Sequence, residues 1–400
     1  MIVGKAFKYR LKPTAAMSAR MVRQAGACRF VWNKILALNE SRYLAGTPRL
    51  TYYQACWLLA LWKQTEELGW LKQMHSQVLQ QCLLDLERGY RNLFQGRALP
   101  PRFRKKGLAD SFRFPQGFKL EDRKVYLPKM GWAEFWKSRE MEGTVKNVTL
   151  SRRGGHWYVA LQAELEVPEP VHPAKGKEVG IDLGIVTFAA FSDGELVPPL
   201  NAYCRWEKKL GRLQRNLARK VKFSRNWEKR QKIAHLHIRI TNSREDFLHK
   251  LSTDVSKNHA TVYVENLRIR PMCKSARGTI EHPGRNVGAK AGLNKSILDQ
   301  GWHRFRRMLE YKQAWRGGIV WGVDPRYSSQ TCPNPECGHV SADNRQQQAL
   351  FRCVQCGYSH DADVVAARNH VARGHREKRN AYAFPQGTVG TEKNSGIPVL

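Results

Sequence analysis

The sequence predicts a multidomain α/β protein, and three observations support this fold class. In the first half of the chain, segments with helical periodicity and segments that alternate like strands occupy separate stretches. In the second half, short apolar strands alternate with helices and end in acidic residues. Two cysteine pairs stand together between residues 332 and 356. A length of 400 residues is sufficient for two or three domains.

The charge of the chain restricts its partners. Lys and Arg total 68 against 34 Asp and Glu, which gives a formal net charge of +34. Such an excess repels itself unless a polyanion neutralises it, so nucleic acid is the expected partner. Ribosomal and heparin-binding proteins share this property, and an anionic membrane surface is a weaker alternative. The sequence has no apolar run of roughly 20 residues and no secretory signal at its start, so we expect a cytoplasmic protein without a membrane partner.

The N-terminal part of the chain predicts a strand followed by helices. Residues 3–11 alternate weakly and form a predicted strand that ends at Pro13. Apolar residues then recur every three or four positions as far as Ile35, which predicts a helix. Two further helices are predicted over residues 52–62 and 77–94 because apolar residues form a stripe in each.

A β-rich segment follows these helices. Strands are predicted over residues 124–127, 144–151 and 157–165, with Gly154 and Gly155 as the turn between the last two. The N-terminal strand could complete this sheet or small barrel, so the helices would be an insertion. The predicted units are a β-barrel of residues 1–14 and 96–170 and a helical insertion of residues 15–95.

Four aromatic residues of the β-rich segment are interleaved with basic residues. They are Phe112, Phe114, Phe118 and Trp157. This mixture suits stacking on bases or contact with a phosphate backbone. Half-buried aromatic residues in strands would give the same pattern, so both interpretations stay open.

Asp182 is the first of three acidic residues at informative positions. It interrupts the apolar run of residues 179–191, in which two strands are predicted to meet near Gly184. An acidic group inside an apolar strand is costly unless something pairs with it. Capping or turn formation is the simple explanation, and a bound metal ion is the more specific one.

Two further acids complete this set. Glu265 ends a strand predicted over residues 260–264, and Asp363 starts a helix predicted over residues 364–372. The predicted order of elements is a strand hairpin, a strand, a helix and a strand. This order, with acids at these places, matches an RNase H-like fold, which brings three carboxylates together. Because such carboxylates repel one another, they need cations, and two Mg²⁺ ions could activate water and stabilise the leaving oxygen in phosphodiester hydrolysis. Asp residues at helix starts are commonly caps, but Asp361 is the better cap candidate, which leaves Asp363 for metal.

The most basic part of the chain lies between residues 205 and 257. Apolar positions predict two helices there, and a helical hairpin with so uneven a charge is expected to face a nucleic-acid backbone. A solvated helix face is the simpler alternative. Beyond it, a helix is predicted over residues 296–315, a strand over residues 318–323, and a disordered tail over residues 374–400. The basic residues of the segment between residues 205 and 257 include Lys208, Lys209, Arg212, Arg215, Arg219, Lys220, Lys222, Arg225, Lys229 and Arg230.

The cysteine pairs form a C-x4-C and a C-x2-C motif, and a glycine directly follows each pair. This spacing predicts a tetrahedral zinc site with four sulfur ligands. Since four protein ligands leave no open position, the zinc is expected to be structural and not catalytic. His339 and His360 are rival ligands that the ion does not need. The predicted ligands are Cys332, Cys337, Cys353 and Cys356.

Taken together, these motifs resemble the TnpB family, also called OrfB, which insertion sequences encode and which is related to type V CRISPR effectors. The order and spacing of the motifs carry the resemblance, which covers roughly residues 1–373. The matching stretches are GIDLG at 180–184, VENL at 264–267, YSSQTCPNPECG at 327–338, RCVQCG at 352–357 and DADVVAARN at 361–369.

The resemblance implies an RNA-guided DNA endonuclease. A guide RNA would pair with double-stranded target DNA beside a short adjacent motif, while protein charge holds the backbones. One site with Asp182, Glu265 and Asp363 as catalytic, Mg²⁺-binding residues would cut both strands. The resemblance also places the protein in a prokaryotic cytoplasm, associated with the nucleoid. The implied domains are a wedge-like β-barrel (1–14 and 96–170), a helical recognition insertion (15–95) and a RuvC-like nuclease domain (171–373) with a zinc ribbon at about 328–360.

Three features depart from the family pattern. Val365 stands where Asn is common, Ser328 stands where Thr is common, and the first cysteine pair encloses four residues where two are usual. Val365 could weaken the positioning of groups around the metal. Because all three acids are present, cleavage is favoured over the alternatives, which are a guided repressor without cleavage, a DNA transposase and an unguided junction resolvase.

Overall fold

A computed structural model describes residues 1–107, 110–221, 224 and 231–383. The chain divides into two compact units, Met1–Pro168 and Glu169–Leu400. The division falls within residues 167–177, a stretch with three prolines whose composition is typical of a linker. None of the described helices is both long and apolar enough to cross a membrane.

The helices of the first unit begin where the sequence supplies caps. The Thr14 side chain accepts a hydrogen bond from the Met17 amide at the start of α1, and Thr51 forms a capping box with Gln54 before α2. A short 3₁₀ helix, Gly69–Gln73, precedes α3. The helices are α1 (Ala15–Leu44), α2 (Tyr52–Gln64) and α3 (Ser76–Phe94).

An antiparallel sheet of seven strands completes the first unit, in the order β2-β6-β7-β1-β5-β4-β3. The N-terminal strand pairs along nearly its whole length with β7, and α1, α2 and α3 lie between β1 and β2 in the chain. In the described residues the sheet is open, whereas the sequence predicted a barrel. The edge strand β3 has only three residues and pairs with β4 alone. In the part of the chain that the structure describes, it does not pair with β2 at the opposite edge, so the sheet does not close into a barrel. The strands are β1 (Ile2–Lys12), β2 (Ser111–Phe114), β3 (Lys119–Glu121), β4 (Lys124–Leu127), β5 (Gly131–Trp136), β6 (Thr144–Arg153) and β7 (His156–Glu166).

The aromatic residues of this sheet belong to its core. Phe112, Phe114 and Trp157 expose 5%, 0% and 1% of their surface, and Phe118 packs against the same core. Strand alternation directs them to the buried face, where rings pack against the helices and one another. The interpretation that these residues stack on bases is therefore wrong for the three buried rings, and core packing explains the pattern.

The second unit is built around a mixed sheet of five strands. Its order is β10-β9-β8-β11-β12. The strands β8, β9 and β10 form an antiparallel meander. The strand β11 pairs in parallel with β8, and β12 pairs in parallel with β11. The strands are β8 (Glu178–Asp182), β9 (Ala189–Phe191), β10 (Leu196–Val197), β11 (Thr261–Glu265) and β12 (Ile319–Val323).

Six α-helices of the second unit, and the 3₁₀ helix Ala342–Arg345, lie within the described residues. Gly301, with φ of 76°, separates α7 from α8, so the helix predicted over residues 296–315 is two helices. A small hairpin of β13 (Leu350–Arg352) and β14 (Ser359–Asp361) precedes the last helix. The helices are α4 (Ala202–Ala218), α5 (Gln231–Asn258), α6 (Ile269–Met272), α7 (Val287–Gln300), α8 (Trp302–Arg316) and α9 (Ala362–Ala383).

The basic helical segment is partly described. Its α4 buries Leu210 against α5. Its basic side chains are exposed, which is compatible both with a nucleic-acid-binding face and with a solvated one. The exposed residues are Lys208, Lys209, Arg212, Arg215, Arg219 and Lys220. The remaining predicted basic residues, Lys222, Arg225, Lys229 and Arg230, lie outside the described residues.

Helix α9 is longer than the sequence predicted. It continues to Ala383, so the first ten residues of the predicted disordered tail are helical, and residues 384–400 lie outside the described part. Contacts with the sheet explain the extension: the Lys378 Nζ donates to the Tyr263 hydroxyl at 2.7 Å, and the Trp321 indole donates to Glu377 at 3.1 Å. The polar composition of residues 374–383 suggested disorder, and the sequence alone did not reveal these contacts with the sheet.

Gly180 allows α9 to lie directly on β8. A Cβ atom at this position would lie 1.9 Å from the Ala367 carbonyl oxygen, which is backbone and cannot move aside cheaply. We therefore expect Gly180→Ala to destabilise the protein by about 3 kcal/mol or more, measured by denaturant unfolding. Gly288→Ala is the matched control, because nothing lies within 4 Å of the added atom and alanine favours a helix. Equal unfolding midpoints for the two variants would contradict this close packing.

Candidate functional site

The acidic site lies at one edge of the mixed sheet. Asp182 is the last residue of β8 and Glu265 is the last residue of β11. These strands are parallel neighbours, so their carboxyl ends meet at the same edge, which is where open α/β sheets commonly bind ligands. Asp363 lies in the first turn of α9, which packs on the same sheet.

Glu265 is held in an environment that disfavours its charge. It exposes 7% of its surface, and its Oε1 accepts a hydrogen bond of 2.9 Å from the Leu183 amide. Burial, together with the negative charges of Asp182 and Asp363, raises the pKa of Glu265 to about 8. A buried carboxyl group whose pKa is raised in this way is a candidate cation ligand, because a bound cation would relieve the repulsion among the acids.

Asp182 has a neighbour that sequence reasoning missed. In the described part of the chain, Asp182, Glu265 and His370 each offer a ligand atom within 4.8 Å of the others. The fully buried His370 places Nε2 at 3.3 Å from the Asp182 Oδ1. A signal was available, because His370 follows Asp363 by seven residues and so lies on the same face of a helix.

Asp363 is placed close to the other acids but not within that group. Its Oδ1 accepts from the Arg345 guanidinium at 3.3 Å. Burial raises the pKa of Asp363, the charge of Asp182 adds to this, and Arg345 opposes it. The structure therefore brings Asp182 and Glu265 together and leaves Asp363 electrostatically coupled to them, paired with an arginine.

Asp361 caps α9 as predicted. Its Oδ1 accepts hydrogen bonds from the amides of Asp363 at 2.9 Å and Val364 at 3.1 Å. The carboxylate of Asp363 is consequently not needed for capping and remains available for other contacts.

The four predicted zinc ligands converge. All four sulfur atoms lie within 4.8 Å of one another, with Cys332 to Cys356 at 3.6 Å and Cys337 to Cys353 at 3.7 Å. Zinc–sulfur bonds of about 2.3 Å in a tetrahedron require sulfur separations of about 3.8 Å, so the cluster fits zinc. Glycines in the left-handed region follow each pair, as tight turns require.

The surroundings of the cysteines are organised by Asn344. This fully buried side chain donates to the carbonyl oxygens of Gln330 at 2.8 Å and His339 at 3.2 Å, and accepts from the Val354 amide at 3.0 Å. It thus connects the segments that carry the two cysteine pairs. His360 uses Nδ1 to accept from the Asp361 amide, and neither it nor His339 belongs to the sulfur group among the described residues.

Helix α9 connects the cysteine cluster to the acidic edge. Val365, the departure from the family pattern, is fully buried and packs with Cys332, Cys353 and Phe351, so its side chain supports the cluster. Four residues further along the helix, Asn369 donates to the carbonyl oxygens of Ser328 and Thr331, both at 2.7 Å. These contacts fix the helix that carries Asp363 and His370.

A cavity of about 250 Å³ opens beside Glu265. Its wall contains cationic side chains: Arg306 donates to the Asn266 Oδ1 at 2.8 Å and pairs with Glu310. The Trp302 indole N–H is buried there and has no partner among the described residues. The lining residues are Leu183, Glu265, Asn266, Leu267, Ile269, Trp302, His303, Arg306, Arg307 and Glu310.

The protein is a multidomain α/β protein with two candidate metal sites. One site is formed by acids at the edge of the mixed sheet, the other is the four-sulfur cluster, and helix α9 connects them. Three family profiles match the chain: "Probable transposase" over residues 160–276, "Cas12f1-like, TNB domain" over residues 302–370 and "Helix-turn-helix domain" over residues 1–47. In this structure the last of these stretches holds β1, α1 and the turn that follows.

Relatives of known name align with almost the whole chain. The protein "Putative RNA-guided DNA endonuclease InsQ" of Escherichia coli (strain K12) is 50% identical over 374 residues, which cover 93% of this chain and 92% of that protein. A "Putative RNA-guided DNA endonuclease" of Streptomyces pristinaespiralis is 36% identical over 93% of this chain and 90% of that protein. The chain belongs to the TnpB family.

A solved structure shares the fold. The structure titled "Cryo-EM structure of the Cas12f1-sgRNA-target DNA complex" aligns with a TM-score of 0.51 at 12% identity, covering 92% of this chain and 98% of that one. At so low an identity the likeness concerns the architecture alone.

Proposed function

We propose that this protein is an RNA-guided DNA endonuclease encoded by a transposable element. One observation carries the proposal: Asp182 and Glu265 end two adjacent parallel strands and share one site in a chain that is 50% identical to a relative of that name. A guide RNA would pair with double-stranded target DNA beside a short adjacent motif, and the protein would hydrolyse phosphodiester bonds in the DNA.

The second unit would be the nuclease domain, of the RuvC-like type within the RNase H-like fold. Support comes from its strand order, in which an antiparallel meander of three strands is extended in parallel by two more. The placement of acids at the ends of β8 and β11 and in the first turn of α9 is in accord with this assignment. The cysteine segment would be the zinc ribbon within it.

Asp182, Glu265 and Asp363 would hold the catalytic ions, which we expect to be two Mg²⁺. The donor set suits Mg²⁺, because carboxylate oxygens are hard ligands. Burial, with the charges of Asp182 and Asp363 added to it, raises the pKa of Glu265 to about 8, and a bound cation would oppose this shift. When bound, Mg²⁺ would supply Lewis-acid activation of water and stabilisation of the leaving oxygen. The Leu183 amide orients Glu265 by its hydrogen bond, and Arg345 limits the net negative charge near Asp363.

The remaining features would serve binding. Exposed basic residues on α4, such as Lys208, Arg212 and Arg215, would contact backbone phosphates, which a chain with a net charge of +34 is suited to do. Arg306 and Arg307, which line the cavity beside Glu265, would contact phosphates that flank the bond to be cut. The zinc would act only in folding, since its four sulfur ligands leave no open position.

The test is to express the full chain together with the flanking DNA of its element, purify it, and sequence the RNA that copurifies. Target DNA that matches this RNA, with a library of adjacent sequences, is then incubated with the complex and Mg²⁺. We expect double-strand breaks that require the matching RNA and disappear with a chelator. A DNA target with a scrambled match is the control.

Other products would identify the alternatives. RNA-dependent binding without breaks would indicate a guided repressor, although the presence of Asp182, Glu265 and Asp363 argues against it. Joined DNA strands would indicate a transposase. Cutting of branched DNA after removal of the RNA would indicate a junction resolvase. Each of these results would overturn the proposal.

A further inference from the structure

We infer that His370 is a positioning residue for Asp182: its imidazole, protonated at Nε2, donates a hydrogen bond to the Asp182 Oδ1 and so fixes the carboxylate. Its effect on cleavage rests on the function proposed above, whereas the hydrogen bond itself does not. None of the motifs that identify the acids includes this residue.

The position of His370 follows from the packing of α9. The helix approaches β8 so closely at Gly180 that the Ala367 carbonyl would meet any added Cβ. His370 follows Ala367 by three residues, and its ring reaches the carboxylate of Asp182 at the end of β8. The imidazole is fully buried, while the side chain of Asp182 keeps 18% of its surface exposed. The histidine thus contacts the inner side of the acid and leaves the outer side accessible.

The two ring nitrogens have different surroundings, and these determine where the proton lies. Nε2 is 3.3 Å from the Asp182 Oδ1. Nδ1 is buried and has no hydrogen-bond partner in the described part of the chain. With the proton on Nδ1, a buried N–H would be left unpaired and a lone pair on Nε2 would face a carboxylate oxygen. With the proton on Nε2, the nitrogen facing the acid becomes a donor to a charged acceptor, and only an acceptor atom is left unpaired.

The same contrast argues against His370 as a metal ligand. A ligating nitrogen must be unprotonated, and ligating histidines almost always donate their other ring N–H to a carboxylate, carbonyl or water. Here the other nitrogen, Nδ1, has no such partner in the described residues. His370 therefore acts on the metal through Asp182, whose orientation it fixes, and occupies only Oδ1 of that carboxylate.

Two substitutions distinguish whether the His370 side chain acts as a hydrogen-bond donor or only fills space. His370→Leu keeps bulk and removes the donor, while His370→Gln keeps an N–H near the position of Nε2. We expect His370→Leu to raise the Mg²⁺ concentration for half-maximal cleavage by roughly 10- to 100-fold, as loss of such supporting hydrogen bonds typically does. His370→Gln should remain within a few-fold of the wild type. Mn²⁺ binding to the zinc-loaded protein, measured by calorimetry, should follow the same order without any DNA.

A spectroscopic measurement tests the hydrogen bond in the unmodified protein. Long-range ¹⁵N–¹H correlation spectra, with the His370 signals assigned by their loss in His370→Gln, should show a proton on Nε2. A proton on Nδ1 would overturn the inference, as would equal weakening of Mn²⁺ binding in both variants. If the wild type fails to cut DNA but the spectrum and the binding order are as expected, the proposed function fails and the inference stands.

Discussion

Asp182→Ala is expected to lower the rate of target cleavage by a factor of roughly 10³ or more, while binding of guide RNA and target DNA stays close to that of the wild type. The carboxylate lies at the sheet edge within 4.8 Å of Glu265, where it would hold a catalytic ion. Removing an ion that contributes several kcal/mol to the transition state costs about a factor of ten for each 1.4 kcal/mol. Single-turnover cleavage and a binding assay measure the two effects.

The control for this variant is Asp193→Ala. Asp193 is an exposed acid in the turn after β9, where it accepts a hydrogen bond from the Glu195 amide. Its removal changes the net charge equally but leaves the sheet edge intact, so cleavage should stay within about twofold. Full activity of Asp182→Ala would refute the assignment of the metal site.

Glu265→Ala and Asp363→Ala should also abolish cleavage and preserve binding. Asp363 is the more informative of the two, because the structure pairs it with Arg345 and places it outside the group formed by Asp182 and Glu265. Wild-type activity in Asp363→Ala would limit the catalytic acids to the strand ends.

Cys353→Ser is expected to remove the zinc and to lower the soluble yield and the unfolding temperature markedly. Its sulfur lies 3.7 Å from that of Cys337 in a cluster whose geometry fits a tetrahedral ion. Structural zinc contributes an apparent binding free energy on the order of 10 kcal/mol, so a missing ligand affects folding directly. Metal analysis of the purified protein and thermal unfolding are the measurements, and activity should fall only as a consequence.

Cys204→Ser provides the matched control. Cys204 is an exposed free cysteine on α4 and lies outside the cluster. Its substitution should leave one zinc per chain and an unchanged unfolding temperature. Retention of full zinc content by Cys353→Ser would mean that another group ligates the ion, and His339 or His360 would then need testing.

Local patterns in the sequence predicted much of the second unit correctly. The apolar run around Asp182 became two strands, Glu265 ended its strand as expected, and Asp361 caps α9. These features depend on alternation, turn residues and capping, which act between neighbours in sequence. The four cysteines were equally predictable from the sequence, because zinc ligation imposes a characteristic spacing on its ligands along the chain.

Features that depend on distant contacts were not predictable in this way. His370 became significant only because α9 packs at Gly180 beside the end of β8. The residues that follow Gly374 are mostly polar, and their helical structure is explained by contacts with the sheet, those of Lys378 with Tyr263 and of Glu377 with Trp321. Whether a sheet closes into a barrel depends on the pairing of its edge strands, about which the local alternation of β2 and β3 says nothing.

The pairing of Arg345 with Asp363 connects the two candidate metal sites. Arg345 stands at the end of the 3₁₀ turn Ala342–Arg345, directly after the asparagine that holds the cysteine segments together. If zinc depletion loosened this turn, the guanidinium would leave the acid, and the negative charge felt by Asp182 and Glu265 would grow. Availability of zinc in the cell would thereby influence how readily the neighbouring carboxylates are occupied by magnesium.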